Sequence, residues 1–274
     1  MDSLPLTFCD TVVSCLDLHH IKLLTLLSGS WPIAATNISR KARELWVRVY
    51  QDQEGVWIQV KCEADATFRS CVFDPKYDRI VKLELGIGKL QSATKVSLSH
   101  FRKVVLPQFR NLITRCTIFD DYYTGYGQYP HAVANAVFDE LMDHQGFTSL
   151  KICNSGERSR KFFKQQLLLG NVTSIDACYK GWPSTLQGKV CEVVKSARFH
   201  VIGLEESEFR LDFDMVSALF DKCFKGEIPR GFHPIIRGKP SFLLVDFSTL
   251  YSEYTASKEG DGFPRFWGFD SGNV

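Results

Sequence analysis

The sequence has no long apolar run, no excess of one charge and no linear stripe of interleaved basic and aromatic residues. No window approaches the roughly 18 consecutive apolar residues that a membrane-spanning helix requires. The 33 basic and 31 acidic residues leave a net charge of +2, so no long-range field favours nucleic acid or an anionic membrane surface. We therefore expect no nucleic-acid or membrane partner, and partners that are selected by shape and apolar contact.

Paired cysteines are also absent, since the nine cysteines are scattered singly without the short spacings of zinc sites. The start of the chain does not match a targeting peptide, because Asp10, Asp17 and Lys22 interrupt its apolar residues. We expect reduced thiols, no metal or other cofactor, and a cytoplasmic or nuclear location.

The sequence contains no recognisable constellation of catalytic residues. Gly86-Ile87-Gly88 lacks the third glycine and the following helix of a dinucleotide-binding loop, and a turn at the end of a strand explains it better. The adjacent Asp120 and Asp121 would point to opposite faces of an extended segment. No Cys or His has the sequence context of a nucleophile with its base. We expect no catalytic residues and no enzymatic activity in this chain itself.

Apolar residues recur at helical spacing through residues 4–42, which predicts three short helices. They form two stripes, namely Phe8, Val12 and Leu16, then Ile21, Leu24 and Leu27. Pro32 fits the first turn of the third helix, where its missing N–H costs nothing. We assign residues 1–43 to this helical module.

After Arg43 the apolar period changes from 3.6 to 2, which is typical of strands. Strands are predicted at 45–49 and 56–62, on either side of the turn signal DQEG, and further strands at 67–73 and 80–85. We interpret residues 44–88 as a small antiparallel β-meander, within a connecting region that extends over 44–110.

Residues 111–274 alternate between strand and helix patterns. Five segments carry apolar residues at positions i, i+3 and i+5: Ile113/Cys116/Ile118, Phe147/Leu150/Ile152, Val172/Ile175/Ala177, Phe199/Ile202/Leu204 and Phe242/Val245/Phe247. Helical patterns lie between them. We predict strand–helix units in a leucine-rich-repeat-like open solenoid, although the asparagine ladder of such repeats is absent. A compact α/β domain is the alternative, so the expected fold class is α+β or α/β.

Two aromatic segments are candidates for contacts. Residues 120–130 place Tyr122, Tyr123, Tyr126 and Tyr129 among Gly, Asp and Gln, a composition that suits protein recognition, and a loop packed on the sheet edge is an equal alternative. The aromatic tail at 262–274 is predicted to cover the last repeat as a hydrophobic lid.

The N-terminal helices resemble an F-box, the module that binds the Skp-type adaptor of cullin–RING ubiquitin ligases. The matching residues align without a gap and are Leu4-Pro5, Phe8, Val12-Val13, Leu16, Ile21, Leu24, Leu27 and Trp31. Two departures are Leu18, where the family often has Pro, and Pro32 directly after Trp31. The rest of the chain more loosely resembles the C-terminal domains of F-box proteins in nematodes, through the stretches SIDACYKGWP and SARFHVIGLEES.

This resemblance implies a substrate-recognition subunit that performs no covalent chemistry. The adaptor, and through it a cullin, would be bound by Leu4, Pro5, Phe8, Val12, Leu16, Ile21, Leu24 and Trp31, and the C-terminal domain would bind an unknown target protein. The alternative is a non-catalytic interaction protein whose N-terminal helices are purely structural. Docking predicts a partly exposed apolar patch on these helices, whereas a structural role predicts that the chain covers it.

Overall fold

The chain is mixed α/β, and most of its strand pairs are parallel. The computed structural model describes residues 4–64, 68–69, 72–121, 132–178, 181–196, 198–204, 207–225, 227, 235–243 and 249. The chain divides into two compact units, residues 1–147 (unit 1) and 148–274 (unit 2). Among the described residues, no helix is both long and apolar enough to cross a membrane.

Unit 1 combines three N-terminal helices with a sheet and its covering helices. In chain order it contains α1 (Leu6–Val13), α2 (Leu18–Leu24), α3 (Ser30–Ser39), β1 (Arg43–Gln51), β2 (Val56–Cys62), β3 (Phe68–Arg69), β4 (Asp78–Ile87), β5 (Thr94–Val96), α4 (Leu98–His100), α5 (Leu106–Leu112), β6 (Ile113–Asp121) and α6 (Ala132–Glu140). The three predicted N-terminal helices are therefore present. Pro32 lies in the first turn of α3, as expected.

The predicted hairpin is confirmed, since β1 and β2 pair antiparallel. The carboxylate of Asp52 holds the turn by accepting the N–H groups of Glu54 at 2.8 Å and Gly55 at 3.0 Å. Both β3 and β5 add antiparallel to β2.

The predicted antiparallel meander is wrong for β4, which pairs parallel to β1. Strand β4 lies on the side of β1 opposite to β2, and just before it the carbonyl of Tyr77 accepts the N–H of Arg43 at 2.7 Å. Strand β6 then pairs parallel to β4. An apolar period of two predicts a strand, but it does not specify whether that strand pairs parallel or antiparallel with its neighbour.

A helical segment that the sequence patterns did not identify covers the apolar face of this sheet. A π-helical turn, Phe101–Val105, joins α4 to α5, and Pro107 lies at the start of α5. Phe101, Phe109 and Leu112 of this segment are fully buried or nearly so. Helix α5 contacts β4, and α6 contacts both β1 and β4.

Unit 2 alternates strands and helices as the apolar pattern predicts. It contains β7 (Phe147–Cys153), α7 (Glu157–Leu169), β8 (Ser174–Cys178), α8 (Gln187–Lys195), β9 (Val201–Gly203), β10 (Arg210–Leu211), α9 (Phe213–Lys225), β11 (Ile235–Arg237) and β12 (Lys239–Pro240). The strands β7, β8, β9 and β11 are parallel neighbours in that order. Ile175 of β8 lies opposite Leu150 of β7 and Ile202 of β9, so equivalent positions of successive units stack. The fifth predicted segment, 242–247, falls largely outside the described residues.

Candidate functional site

The N-terminal helices have a small core. It consists of the buried side chains of Cys9, Val13, Ile21, Ala34, Ala35 and Ile38. Helices of seven to ten residues around such small side chains can bury only one narrow stripe each. Their larger apolar side chains must therefore find room outside this core.

Large apolar side chains are exposed on these helices, and on the turn between α2 and α3, far more densely than elsewhere in the described chain. Six of the twelve exposed large hydrophobic residues of the described chain lie between positions 6 and 33. We call them the apolar patch: Leu6 (41% exposed), Phe8 (49%), Leu23 (49%), Leu26 (80%), Leu27 (48%) and Ile33 (54%). A concentration of this kind on one module is typical of a protein-binding surface.

The residues predicted from the sequence to bind an adaptor occupy three kinds of position. Pro5 and Phe8 are exposed. The half-buried residues are Leu4, Val12, Leu16, Leu24 and Trp31, of which all except Val12 pack against the small core. Ile21 is fully buried, so its side chain holds α2 in place and is not available to a partner. Helical spacing alone did not separate Ile21 from its exposed neighbours.

Contacts between α1 and α3 bring the first and last matching positions together. The Phe8 and Trp31 rings meet edge to face, with centroids 6.4 Å apart and an angle of 76°. The hydroxyl of Ser30 donates to the carbonyl of Leu4 at 3.1 Å. The aromatic pair therefore lies beside the Leu4-Pro5 segment at the start of α1.

Asp17 fixes the start of α2. One of its carboxylate oxygens accepts the His20 N–H at 2.9 Å, and the other lies 2.8 Å from the His20 ring nitrogen Nδ1. Partial burial opposes ionisation of Asp17, but these hydrogen bonds and the nearby positive charges together lower its pKa. The arrangement is a helix N-cap, and it stabilises the short second helix.

A buried arginine of the sheet anchors the N-terminal helices. Arg79 of β4 is 1% exposed, and its guanidinium donates to the carbonyls of Ser14 and, at 3.2 Å, of Leu16, just beyond the end of α1. It also donates to three carbonyls of the preceding turn, those of Pro75, Lys76 and Asp78. Burial lowers the pKa of Arg79, and the carbonyl end of a helix is where a cation is favoured.

A partly buried ion pair lies at the junction between the helices and the sheet, with Asp78 buried and Arg43 about one-third exposed. The guanidinium of Arg43, the first residue of β1, donates to both carboxylate oxygens of Asp78, at 2.5 and 2.8 Å. This hydrogen bonding with Asp78 raises the pKa of Arg43. Asp78 also accepts the N–H of Asp74 at 2.7 Å. Arg43 and Arg79 thus tie the N-terminal helices to the sheet through hydrogen bonds.

Sequence reasoning missed Arg79 because an arginine next to a strand is usually solvated. Of the apolar patch, the sequence singled out Phe8 and Leu27 but not Leu6, Leu23, Leu26 or Ile33. Tyr122, Tyr123, Tyr126, Tyr129 and the aromatic tail lie outside the described residues. Within the described chain, no group of three or more His, Cys, Asp or Glu side chains is placed to hold a metal ion.

The arrangement described above leaves large apolar side chains partly uncovered, which is the surface chemistry typical of a protein-binding module. Comparison with known proteins adds no family to this description. No protein-family model matches the chain, and no curated protein sequence matches it either.

Proposed function

We propose that this chain is the substrate-recognition subunit of a cullin–RING ubiquitin ligase. The N-terminal helices act as an F-box that docks on a Skp-type adaptor, and the strand–helix units act as a leucine-rich-repeat-like domain that binds a target protein. The ligase then transfers ubiquitin to the bound target in the cytoplasm or nucleus. The role of this chain is to raise the effective concentration of the target at the ligase.

The apolar patch is the observation that carries this proposal. A purely structural helical module would turn its large side chains inward, yet Phe8 and Ile33 are about half exposed. These side chains lie within the same 4–31 stretch, or directly after it, whose residues match the F-box pattern without a gap. The exposed Pro5 at the start of α1 belongs to the same match.

The free energy available from burying the patch indicates how many of its residues a partner must cover. Fully burying a Leu or Phe side chain contributes about 1.5–3 kcal/mol, so each half-exposed member of the patch has roughly half of that left to gain. Association itself costs at least about 4 kcal/mol. Several patch residues must therefore be covered together, and the Phe8–Trp31 aromatic pair is the natural centre of such an interface.

The test is binding of the purified full-length chain to a purified Skp-type adaptor, measured by calorimetry. We expect Phe8→Ser and Ile33→Ser each to weaken binding by about tenfold, and the double variant to abolish detectable binding. These positions are preferable to Leu16, because Leu16 packs against the small core and its replacement would also perturb folding.

Leu168→Ser is the matched control, since Leu168 on α7 is 53% exposed, nearly the same as Ile33. It should bind like the wild type. If the folded wild-type chain does not bind the adaptor, the proposal is wrong and the chain is an interaction protein of another kind. If Leu168→Ser weakens binding as much as Ile33→Ser, the adaptor binds elsewhere.

A further inference from the structure

A second candidate surface lies on the other face of the unit 1 sheet, where three cations surround one indole ring. The ammonium of Lys82 lies 3.8 Å from the centre of the Trp46 ring, the guanidinium carbon of Arg48 lies 4.0 Å away, and the ammonium of Lys61 lies 5.5 Å away. We call these four residues the Trp46 cluster. All four residues are half-buried.

Sheet register produces this convergence. Trp46 on β1 lies directly opposite Lys61 on β2 and directly opposite Lys82 on β4. Arg48 follows Trp46 by two positions on β1, so it shares the same face. Three neighbouring strands therefore place three positive charges around one ring, which attracts cations to its face.

The positive charge of the cluster is only partly neutralised. Glu84 lies 3.4 Å from Arg48 Nε, and its other oxygen accepts the Tyr50 hydroxyl at 2.5 Å. Glu84 is 5% exposed, so this carboxylate is already engaged and shielded.

Neither Lys61 nor Lys82 forms an ion pair with a carboxylate of the described chain. Three acidic residues share this face of the sheet: Glu84 lies two positions after Lys82, Glu63 two positions after Lys61, and Glu44 two positions before Trp46. Burial and the charge of Glu63 raise the pKa of Glu44, and Lys22 is the cation that opposes this rise. The ammonium groups of the two lysines thus lack a direct carboxylate partner among the described residues, and they are the groups that an anionic ligand would contact.

We propose that the Trp46 cluster binds an acidic protein segment in an extended conformation, with one carboxylate at Lys61 and one at Lys82. The two lysines stand on strands about 10 Å apart, with Trp46 between them, and both side chains lean towards its ring. Alternate residues of an extended peptide place their side chains on the same side about 7 Å apart. Two acidic residues at positions i and i+2 match this arrangement.

An acidic peptide fits the cluster better than a single-stranded nucleic acid does. Nucleic acid recognition on a sheet needs ring faces on which bases can stack. The Trp46 ring already carries Lys82 and Arg48 at stacking distance. Carboxylates that approach the lysines from solvent require no rearrangement of the ring.

Under the proposed function, the acidic segment belongs to the target protein, and this placement rests on that proposal. The surface would then supply target recognition in unit 1, separate from the apolar patch of the helices. Binding of an acidic segment does not itself require an adaptor. The peptide measurement below is therefore made with the full chain alone, so its outcome is independent of the adaptor-binding result.

The test is fluorescence anisotropy of a short labelled peptide with two glutamates at alternate positions, titrated with the full-length protein at low salt. We expect saturable binding that weakens as salt is added. Lys61→Gln/Lys82→Gln should bind about tenfold more weakly, near the upper end expected for the loss of two exposed ion pairs. A peptide with glutamines in place of the glutamates should bind the wild-type protein no more tightly than the glutamate peptide binds the double variant.

Lys103→Gln/Lys164→Gln is the control, because it removes the same charge from exposed lysines outside the cluster. It should retain wild-type affinity. The assignment is overturned if the glutamate peptide does not bind, if both double variants lose affinity equally, or if a single-stranded oligothymidine binds more tightly than the peptide. Circular dichroism of each variant checks that the fold is intact.

Discussion

Helices in the two units differ in how many of their large apolar side chains are buried. Helix α7 in unit 2 buries Phe162, Phe163 and Leu167 and leaves Leu168 outside. In unit 1, α1 buries only Cys9 and Val13 and leaves its larger side chains, Leu6 and Phe8, exposed. The apolar side chains are similar in type, so composition does not explain the difference.

The neighbours available to each helix explain it. Helix α7 connects two parallel strands and packs beside α8, so one of its faces is covered. Helices α1 and α2 pack mainly on α3. Three short helices cannot cover one another completely. This difference indicates that the apolar patch is available for a partner, which a helix on a sheet would not offer.

The largest expected effect separates a core phenylalanine from a patch phenylalanine. Phe162→Ala should lower the free energy of unfolding by about 3–5 kcal/mol, because it leaves a cavity among buried side chains. Phe8→Ala should cost less than about 1 kcal/mol, since Phe8 is 49% exposed. Urea unfolding followed by circular dichroism measures both. Equal losses would show that Phe8 belongs to a core.

The next effect concerns the anchor of the N-terminal helices. Arg79→Met should cost about 3 kcal/mol, because it leaves buried carbonyls beyond α1 without a donor. Hydrogen exchange should show the loss of protection mainly in α1–α3. Arg79→Lys keeps the charge but has fewer donors, so it should cost less.

Unit 2 contains a buried cation that can be compared with Arg79. Lys222 of α9 is 5% exposed, and its ammonium donates to the carbonyls of Val194, at 2.7 Å, and Ser196, at the end of α8. Lys222→Met should therefore destabilise α8 and α9 and leave the protection of α1–α3 unchanged. If Lys222→Met also lowered the hydrogen-exchange protection of α1–α3, the effects of Lys222 and Arg79 would not be local to their own helices.

The smallest effect concerns the cap of α2. Asp17→Ala should cost about 1 kcal/mol at neutral pH, whereas Asp17→Asn, which can still accept the His20 N–H, should cost only a few tenths. The pKa of Asp17 is lowered in the folded chain, so its charge stabilises the fold above the ordinary value of 3.8. This contribution is lost as the pH falls through the lower folded pKa.

Chemical unfolding at several pH values tests the direction of this pH dependence. The difference between wild type and Asp17→Asn should be constant above about pH 5 and should shrink as the pH falls below about 3.8. A difference that grows on acidification would mean that the carboxylate destabilises the helix.

Local apolar spacing predicted most of the elements of unit 2. The positions i, i+3 and i+5 of the four described segments are all buried, and each segment contributes a strand, the first of them β6 of unit 1. The helices between them are also present. Local spacing succeeded here because β7 and β8 are each followed by a helix, and β9 by α9 after the short β10, so the apolar pattern of each strand–helix unit reflects its own burial.

Apolar spacing did not predict features that depend on contacts between segments far apart in the chain. The direction of β4 depends on the side of β1 to which the chain returns, and this side is absent from the apolar pattern. The helical segment at 98–112 was missed because Pro107 interrupts the helical reading, whereas a π-helical turn before it accommodates the proline. Burial of Ile21 beside the exposed Leu23 likewise follows from where α3 packs.

The sequence by itself determined the order and type of most elements and the three N-terminal helices with their Leu4-Pro5 to Trp31 match. Only the tertiary structure decided which apolar residues of those helices face outward. It also placed Arg79 beneath α1 and brought Lys61 and Lys82 together around Trp46. The physical reason is that local periodicity depends on a residue's own burial, whereas these sites depend on contacts between residues far apart in the chain.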